Sequence, residues 1–248
     1  MILDIPYQYP TDRLIFLLIS PGAWPLSAKY RASMPPIPTS DFRLAMNHRD
    51  AQITIIVGRN GTGKSTFCEK VVKSLGQRSL AVTYNGMPKI WRPYPEVDIR
   101  KPKAMAFRKG IRQVVAARYE ESAKKNRVFE HIYTNFRNGI IIWDDCRGYI
   151  DASVDRDRYF RQLMLDFRHK MLDMIFVVHS PSDVPPRLWG FASTAWIGAT
   201  DALVNRSQVK THSAERIIEV QQRVNEAFRE AKERGDNSHY GLFKMVRL

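Results

Sequence analysis

One stretch of the sequence combines the residue types and the spacing that bind phosphate. After the apolar run 53–57, the pattern G-x-x-x-x-G-K-S places Gly58, Gly63, Lys64 and Ser65 in succession. Glycines let backbone N–H groups close around phosphate oxygens, and the start of the following helix adds partial positive charge. Lys64 can reach the β- and γ-phosphates of a nucleoside triphosphate, and the Ser65 hydroxyl can bind Mg²⁺. The predicted nucleotide-binding residues are Gly58, Arg59, Asn60, Gly61, Thr62, Gly63, Lys64, Ser65 and Thr66.

Two adjacent carboxylates follow a second apolar run. Residues 139–143 lead directly into Asp144 and Asp145. Ligands of parallel α/β sheets sit at the carboxyl ends of the strands, where the phosphate loop is also expected. One carboxylate there can hold Mg²⁺ through water, and a second can orient or deprotonate an attacking water. We therefore assign Asp144, with Ser65, to the metal and Asp145 to the water. The alternative is an Asp-Asp turn that closes a strand.

A third apolar run, 174–178, ends at His179. We expect this strand beside the acidic strand, so that His179 reaches the same site and contacts the γ-phosphate or the attacking water. A polar side chain there can report whether the γ-phosphate is present. A metal-ligand role for His179 is disfavoured because no second His or Cys lies at ligand spacing nearby.

The elements that must position these side chains alternate along the chain. Such alternation predicts an α/β fold with a mostly parallel central sheet that is covered by helices on both faces. The predicted strands are 53–57, 79–84, 139–143, 174–178 and 195–199, with an edge strand at 239–246. The predicted helices are 64–75, a long basic helix over about 102–125, 154–171 and 213–234.

The chain divides into three predicted parts. Repeated prolines interrupt residues 1–50, so we expect an irregular N-terminal extension there. Residues 51–211 form the predicted core, and residues 212–248 form a C-terminal helix and edge strand. The apolar run 14–19 is too short to span a bilayer, so we expect no membrane span and a cytoplasmic location. The two cysteines are expected to be buried thiols in a reducing compartment.

The charge of the chain is strongly positive. The formal net charge is +14 in 248 residues, which favours a polyanionic partner, nucleic acid first and an anionic membrane surface second. The segment 100–127 contains ten basic residues against the acidic Glu120 and Glu121, a local excess of eight. We expect this segment to contact a phosphate backbone, and the alternative is a solvated helix face. The basic residues are Arg100, Lys101, Lys103, Arg108, Lys109, Arg112, Arg118, Lys124, Lys125 and Arg127.

The stretch 168–184, RHKMLDMIFVVHSPSDV, resembles the FtsK–HerA family of P-loop ATPases. Members of that family typically have an arginine, a short polar stretch, a strand, and then a polar sensor followed by Arg-Pro-Ser. Here His179 stands where the family usually has glutamine, and Ser180 replaces the arginine beside it. Arg168 matches the upstream arginine, which makes it a candidate to reach the γ-phosphate of a neighbouring subunit. The pair Asp144 and Asp145 resembles that of viral packaging ATPases in the same group.

The resemblance implies a fold, an activity and partners. The fold would be a P-loop NTPase of the additional-strand, RecA-like type. The activity would be ATP-driven translocation of double-stranded DNA, in a viral or mobile-element packaging motor, with ATP and Mg²⁺ as cofactors. Such motors act as ring oligomers, commonly hexamers, which implies a capsid or portal partner and a location in the host cytoplasm or the virion. The catalytic residues would be Lys64, Asp145, His179 and Arg168.

Three other functions fit parts of the sequence. A filamentous-phage assembly ATPase of the zonula occludens toxin group is disfavoured because those proteins usually have a membrane span after the core. A small-molecule phosphotransferase would need a mobile lid, for which the segment 85–127 could serve. A nucleotide-dependent scaffold would bind the triphosphate without hydrolysing it. Consecutive acids after a long apolar strand favour hydrolysis over phosphate transfer.

Overall fold

The computed structural model describes residues 51–86, 89–122, 125–146, 150, 157–201, 206–207, 209, 212–235 and 242–248. The predicted extension, 1–50, lies outside the described residues, and the predicted division into three parts stays a prediction. Across the described ranges, every helix is too short or too polar to cross a membrane.

A seven-stranded sheet forms the centre of the fold, in the order β3-β2-β6-β7-β1-β8-β9. Neighbouring strands are parallel except for β8 and β9, which are antiparallel. The strands are β1 Ile53–Val57, β2 Ser79–Thr83, β3 Ile111–Val115, β4 Glu120–Ser122, β5 Lys125–Asn126, β6 Gly139–Trp143, β7 Leu172–Val178, β8 Thr194–Ile197 and β9 Lys244–Arg247. Strands β4 and β5 pair separately as an antiparallel hairpin.

Five α-helices accompany the sheet in the described part of the chain. They are α1 Lys64–Leu75, α2 Val128–Asn135, α3 Arg158–Asp166, α4 Pro186–Phe191 and α5 Ala214–Glu233. Single 3₁₀ turns occur at Lys89–Trp91, Ala104–Ala106, Ala116–Tyr119 and Pro181–Asp183. The bounds of α1 agree with the prediction, and those of α5 differ from it by one residue at each end.

The central strands are buried on both faces, which explains their continuous apolar runs. In β6 the consecutive residues Ile141 and Ile142 both have no exposed surface. Ile141 packs in one apolar cluster and Ile142 in the other, because successive side chains of a strand point to opposite faces. The sheet therefore has a core on each side, as the alternation of strands and helices predicted.

The position of β7 fixes the geometry of the site. Strand β7 lies between β1 and β6, with Val178 opposite Val57 and Phe176 opposite Trp143. The strand that leads to His179 was predicted to lie beside the acidic strand, and this placement is confirmed. The residues that follow β1, β6 and β7 leave the sheet at one end, which we call the carboxyl end of the sheet.

The predicted basic helix over 102–125 is wrong. The segment contains the 3₁₀ turn Ala104–Ala106, strand β3, the 3₁₀ turn Ala116–Tyr119 and strand β4. Gly110 has φ 85°, which ends any helix there, and the β-branched residues of β3 fit a pleated strand. Pairing of β3 with β2 then outweighs the helical preference of the surrounding Lys, Arg and Ala residues.

The predicted helix over 154–171 is shorter than expected. Helix α3 begins after Asp157, whose side chain accepts hydrogen bonds from the N–H groups of Tyr159 and Phe160, both at 2.8 Å. A turn follows Asp166, and Met171, with φ 52°, leads directly into β7. The last residues of the predicted helix, 167–171, therefore connect α3 to β7, the strand that leads to His179.

Candidate active site

The phosphate loop connects β1 to α1 and depends on glycine. Gly61 and Gly63 have φ 80° and 83°, a left-handed conformation that most side chains avoid. At Gly58 a Cβ atom would lie 2.9 Å from the Thr62 hydroxyl oxygen, so a side chain there would displace the Thr62 side chain. The glycine pattern in the sequence thus reflects both backbone conformation and close packing.

Neighbouring segments hold the loop in place. The Gly58 N–H donates to the Val178 carbonyl at 3.2 Å, and the Arg59 N–H donates to the Ala199 carbonyl at 2.7 Å. The Arg59 guanidinium pairs with Asp201 at 2.6 Å and lies over the Phe228 ring, 4.8 Å from its centroid. The Arg59 side chain therefore connects the loop to α5.

Lys64 is almost fully buried, with 7% of its surface exposed. Its Nζ donates to the Arg59 carbonyl at 2.9 Å and lies 3.2 Å from Nδ1 of His179. Burial lowers the pKa of Lys64 to about 8, although the charges of Asp144 and Asp145 oppose that shift. The ammonium group is thus a concentrated positive charge at the base of the loop.

Asp144 is the buried member of the acidic pair, with 2% of its surface exposed. Its Oδ2 accepts from Nε1 of Trp91 at 2.6 Å, and its Oδ1 accepts from the Asp145 N–H at 3.0 Å. The Ser65 side chain also donates to it. Burial raises the pKa of Asp144, while these donors act in the opposite direction. Asp144 and Ser65, the predicted metal residues, are therefore in contact.

Asp145 and His179 form the other half of the site. Nε2 of His179 lies 3.1 Å from Oδ1 of Asp145, and Nδ1 lies near Lys64 on the opposite side of the ring. An ammonium can only donate, so the network assigns the proton of a neutral His179 to Nε2, which donates to Asp145. Asp145 has φ 49°, an unusual conformation for a residue other than glycine, often seen at functional sites.

The structure thus brings together the residues that the sequence predicted for the site: Lys64, Ser65, Asp144, Asp145 and His179. They meet at the carboxyl end of the sheet, where ligands of parallel α/β sheets bind. No pattern in the sequence indicated Trp91, which reaches Asp144 from a position 53 residues away in the chain. The only signal for it was its place in an irregular loop rich in aromatic residues.

Known proteins that are similar to this chain are found among solved structures. No protein-family model matches the chain, and no curated protein matches it. Among solved structures, the genome packaging NTPase B204 from Sulfolobus turreted icosahedral virus 2, in complex with AMP, has a TM-score of 0.57 and 13% identity. That match covers 81% of this chain and 94% of the other. The complex of the same NTPase with ATP-gammaS has a TM-score of 0.55 and 14% identity, over 71% of this chain and 87% of the other.

This chain has the P-loop NTPase fold. The DNA-packaging ATPase B204 from Sulfolobus Turreted Icosahedral Virus also matches, with a TM-score of 0.54 and 14% identity over 80% of this chain and 98% of the other. The predicted fold class is confirmed, and the resemblance to a viral genome-packaging ATPase is confirmed for the fold. The N-terminal domain of zonular occludens toxin from Neisseria meningitidis has a TM-score of 0.38 and 17% identity, over 61% of this chain and 78% of the other.

The predicted metal residues, Ser65 and Asp144, fit Mg²⁺. Mg²⁺ prefers oxygen ligands and is usually bound by one or two carboxylates together with substrate phosphates. Ser65 and Asp144 supply a hydroxyl and a carboxylate side by side. The described residues include no group of three or more His, Cys, Asp or Glu that could hold a metal alone. The site therefore suits a metal that arrives with a nucleotide.

The residues after His179 explain one departure from the FtsK–HerA pattern. The Ser180 hydroxyl accepts from the Ser182 N–H, and the Asp183 carboxylate accepts from the Ser180 N–H at 3.0 Å. These reciprocal bonds form a capping box on the 3₁₀ turn Pro181–Asp183. At the position of the family arginine, this chain therefore has a turn-forming serine, and the charge of Asp183 acts on Lys64.

Arg168 lies away from the active site of its own chain. It is exposed in the turn before β7 and stacks on Phe167, 5.5 Å from the ring centroid. His179 follows the other end of β7, a strand of seven residues, so roughly 20 Å separates the two positions. A role for Arg168 at the site of a neighbouring subunit stays a prediction.

The basic segment 100–127 is only partly available for contact. Arg100 pairs with Asp98 at 2.8 Å, and Arg118 pairs with Glu96 at the same distance. Arg127 pairs with Glu130 at 2.7 Å. By contrast, Lys103, Arg108 and Lys109 are exposed and have no ion pair within the described residues.

Proposed function

We propose that this P-loop NTPase hydrolyses ATP with Mg²⁺ and uses the reaction to translocate double-stranded DNA, as a genome-packaging motor of the FtsK–HerA type. The observation that most supports hydrolysis is the hydrogen-bonded line from Lys64 through His179 to Asp145. It connects the phosphate-binding cation to the candidate base through the side chain at the sensor position. Likeness of the fold to a viral DNA-packaging ATPase supports the choice of motor.

The residues divide the chemistry between them. The loop N–H groups and Lys64 would bind the triphosphate, and Ser65 and Asp144 would hold the metal. Mg²⁺, when bound, supplies charge neutralisation of the phosphates. Asp145 has 44% of its side chain exposed, so it is open to water and suited to orient the nucleophile. Asp144 is buried beside it, which keeps the two carboxylates in separate roles.

The contacts of Lys64 suggest how the γ-phosphate is sensed. The Nζ of Lys64 donates to the Arg59 carbonyl and lies next to Nδ1 of His179. Phosphate oxygens, being charged, compete strongly for an ammonium. Binding of ATP would therefore free His179 from Lys64 and leave its bond to Asp145, so the state of His179 would follow the presence of the γ-phosphate.

The assembly is part of the proposal. We propose a ring of several subunits, commonly six in this family, with a capsid or portal as further partner, working in the host cytoplasm or in the virion. An arginine from a neighbouring subunit, with Arg168 as candidate, would stabilise charge in the transition state. In other NTPases such a residue contributes about 10³–10⁵ in rate.

The phosphotransferase alternative loses its candidate lid. Described residues of the segment 85–127 pack into the protein core: Trp91 and Ile99 have no exposed surface, and Met105 is 1% exposed. Strand β3 of this segment pairs with β2 in the central sheet. A segment so bound does not suit the opening and closing of a lid.

The test is the ATPase rate with and without duplex DNA, at low and high salt, together with the mass of the protein bound to an ATP analogue. We expect DNA to stimulate turnover at low salt and the mass to be that of a ring. A protein that stays monomeric and whose turnover never responds to DNA would contradict the motor. Transfer of labelled γ-phosphate to a nucleoside, with no effect of DNA, would favour the phosphotransferase.

A further inference from the structure

The end of the sheet opposite the active site has its own chemical character. The segments 108–110, 77–78, 137–138 and 168–171 precede β3, β2, β6 and β7, which are successive strands of the sheet. Backbone hydrogen bonds join them: Ser79 N–H to the Gly110 carbonyl at 3.0 Å, and Asn138 N–H to the Lys170 carbonyl at 2.8 Å. We call this row of segments, together with the turn 103–106 beside it, the amino end of the sheet.

Five exposed cations occur along the amino end of the sheet. All five are solvent-exposed, and none forms an ion pair with a carboxylate of the described chain. They are Lys103, Arg108, Lys109, Arg137 and Arg168, of which Arg168 is already the candidate for the site of a neighbouring subunit. Exposed cations without a partner are the side chains that can neutralise the phosphates of a nucleic acid.

A cluster of stacked rings fixes the loop 103–110 before β3, which we call the basic loop, to the sheet. The Arg78 guanidinium lies over the rings of Phe107 and Phe136, 5.0 and 4.5 Å from their centroids, and donates to the Met105 carbonyl. The guanidinium of Arg112 also lies over the Phe107 ring, 5.0 Å from its centroid. This cluster joins the loop before β3 to the segment before β6, so cations from two distant parts of the sequence share one surface.

The acids near the amino end of the sheet already have partners. Asp166 accepts from the Tyr133 hydroxyl at 2.7 Å, and Asp173 accepts from the Gln52 N–H at 2.9 Å. Lys170 is buried and donates to the Tyr133 carbonyl at 2.7 Å. The exposed cations are therefore a separate set from the residues that hold this end of the fold together.

We propose that the amino end of the sheet is the surface that binds the phosphate backbone of duplex DNA. Apart from Arg168, the cations precede β3 and β6, which are two strand spacings of about 4.8 Å apart, so the row extends over roughly 10 Å before the reach of the side chains is counted. The major groove of B-form DNA is about 12 Å wide, so such a row reaches phosphates on both of its sides. The identity of the partner as DNA rests on the proposed function, whereas the location rests on the structure. Nucleotide and DNA would bind at opposite ends of one sheet.

The test compares two charge-matched variants. The surface variant combines Arg108→Gln, Lys109→Gln and Arg137→Gln. The control combines Arg216→Gln, Arg229→Gln and Lys232→Gln, which are exposed cations on α5. Binding to a fluorescent DNA duplex is measured by anisotropy without nucleotide, from about 50 to 200 mM salt, where each phosphate contact contributes about 0.9 to the salt slope.

We expect the surface variant to bind at least about tenfold more weakly at low salt and to lose about three from its salt slope. The control should keep the slope of the natural protein, and both variants should keep DNA-independent ATP hydrolysis. Equal slopes for the surface variant and the natural protein would overturn the proposal, as would a loss seen only in the control. So would loss of binding to phosphatidylserine vesicles with DNA binding unchanged, since that identifies a membrane surface.

The outcomes also separate this proposal from the motor. If the natural protein hydrolyses ATP and binds DNA but the surface variant does the same, only the location is wrong. If the surface variant loses DNA binding while the natural protein shows no ATP hydrolysis, the DNA surface stands and the motor fails.

Discussion

Lys64 and Arg137 show how differently the two ends of one sheet present positive charge. Lys64, at the carboxyl end, is 7% exposed and contacts a carbonyl and an imidazole. Arg137, at the amino end, is exposed and pairs with no carboxylate in the described ranges. Buried, directed contacts select a ligand by its geometry, whereas exposed cations attract any close-spaced row of phosphates. If both proposals hold, substitutions at the two ends should separate ATP turnover from DNA affinity.

The largest effect is expected from Asp145→Asn. An amide has nearly the same shape but cannot take a proton from water, so turnover should fall by about 10²–10⁴ while ATP and DNA still bind. The matched control is Asp166→Asn at the amino end, where the carboxylate accepts a hydrogen bond from Tyr133. Steady-state ATPase rates and nucleotide binding by titration calorimetry would measure both. Unchanged turnover in Asp145→Asn would contradict Asp145 as the base, whereas nucleotide binding without any turnover in the natural protein would favour the non-catalytic scaffold.

The next effect is expected from Trp91→Phe. This change removes the N–H that donates to Asp144 while leaving an aromatic ring in the core. Loss of a group that orients a metal ligand typically costs about 10–100-fold in metal affinity or activity. We therefore expect lower turnover and a higher Mg²⁺ concentration for half-maximal rate.

Trp189→Phe is the control for Trp91→Phe. Trp189 is also buried, at 1% exposure, but its Nε1 has no hydrogen-bond partner within the described residues. Both changes remove similar volume, so both should lower stability to a similar extent. An equal loss of activity in the two variants would show that Trp91 acts through packing rather than through Asp144.

The two ends of the sheet also differed in how well the sequence predicted them. The strands β1, β6 and β7, which lead to the active site, are long apolar runs. The residues that follow them converge because the carboxyl ends of parallel strands lie at the same end of the sheet. The contact between His179 and Asp145, 34 residues apart, could therefore be expected. The Trp91 contact could not, because it comes from an irregular loop with no periodic pattern.

The amino end was misread because its decisive contacts are not local. Between Pro102 and Lys125, basic and alanine residues favour a helix, yet Ile111–Val115 pairs with Ser79–Thr83 in the sheet. No short stretch of sequence contains that pairing, since it joins strands that are far apart in the chain. The charge of the segment was recognised correctly, but its surface is shared with Arg137, outside the segment.

A smaller effect is expected from pH. Burial lowers the pKa of Lys64 to about 8 from the ordinary 10.5, and bound phosphate would favour the ammonium and raise the pKa again. ATP binding above pH 8 should then take up a proton, and affinity should fall by up to about tenfold per pH unit. Calorimetry in buffers with different ionisation enthalpies measures the uptake.

Lys64→Arg sharpens the pH comparison, since a guanidinium keeps its charge and should give a flat profile. Affinity for a DNA duplex should likewise change little between pH 7 and 9, because the proposed surface is formed by exposed arginine and lysine side chains. ATP affinity that is independent of pH in the natural protein would contradict the assignment to Lys64.

The smallest effect is expected from Arg78→Lys, which keeps the charge but removes the planar group that lies over the rings of Phe107 and Phe136. Loss of these contacts should lower the free energy of unfolding by about 1–2 kcal/mol, measured by chemical denaturation. Arg112→Lys, which affects one ring contact, should cost less. DNA affinity should fall a few-fold with the salt slope unchanged, since Arg78 positions the basic loop. A reduced slope would instead mean that Arg78 itself contacts phosphate.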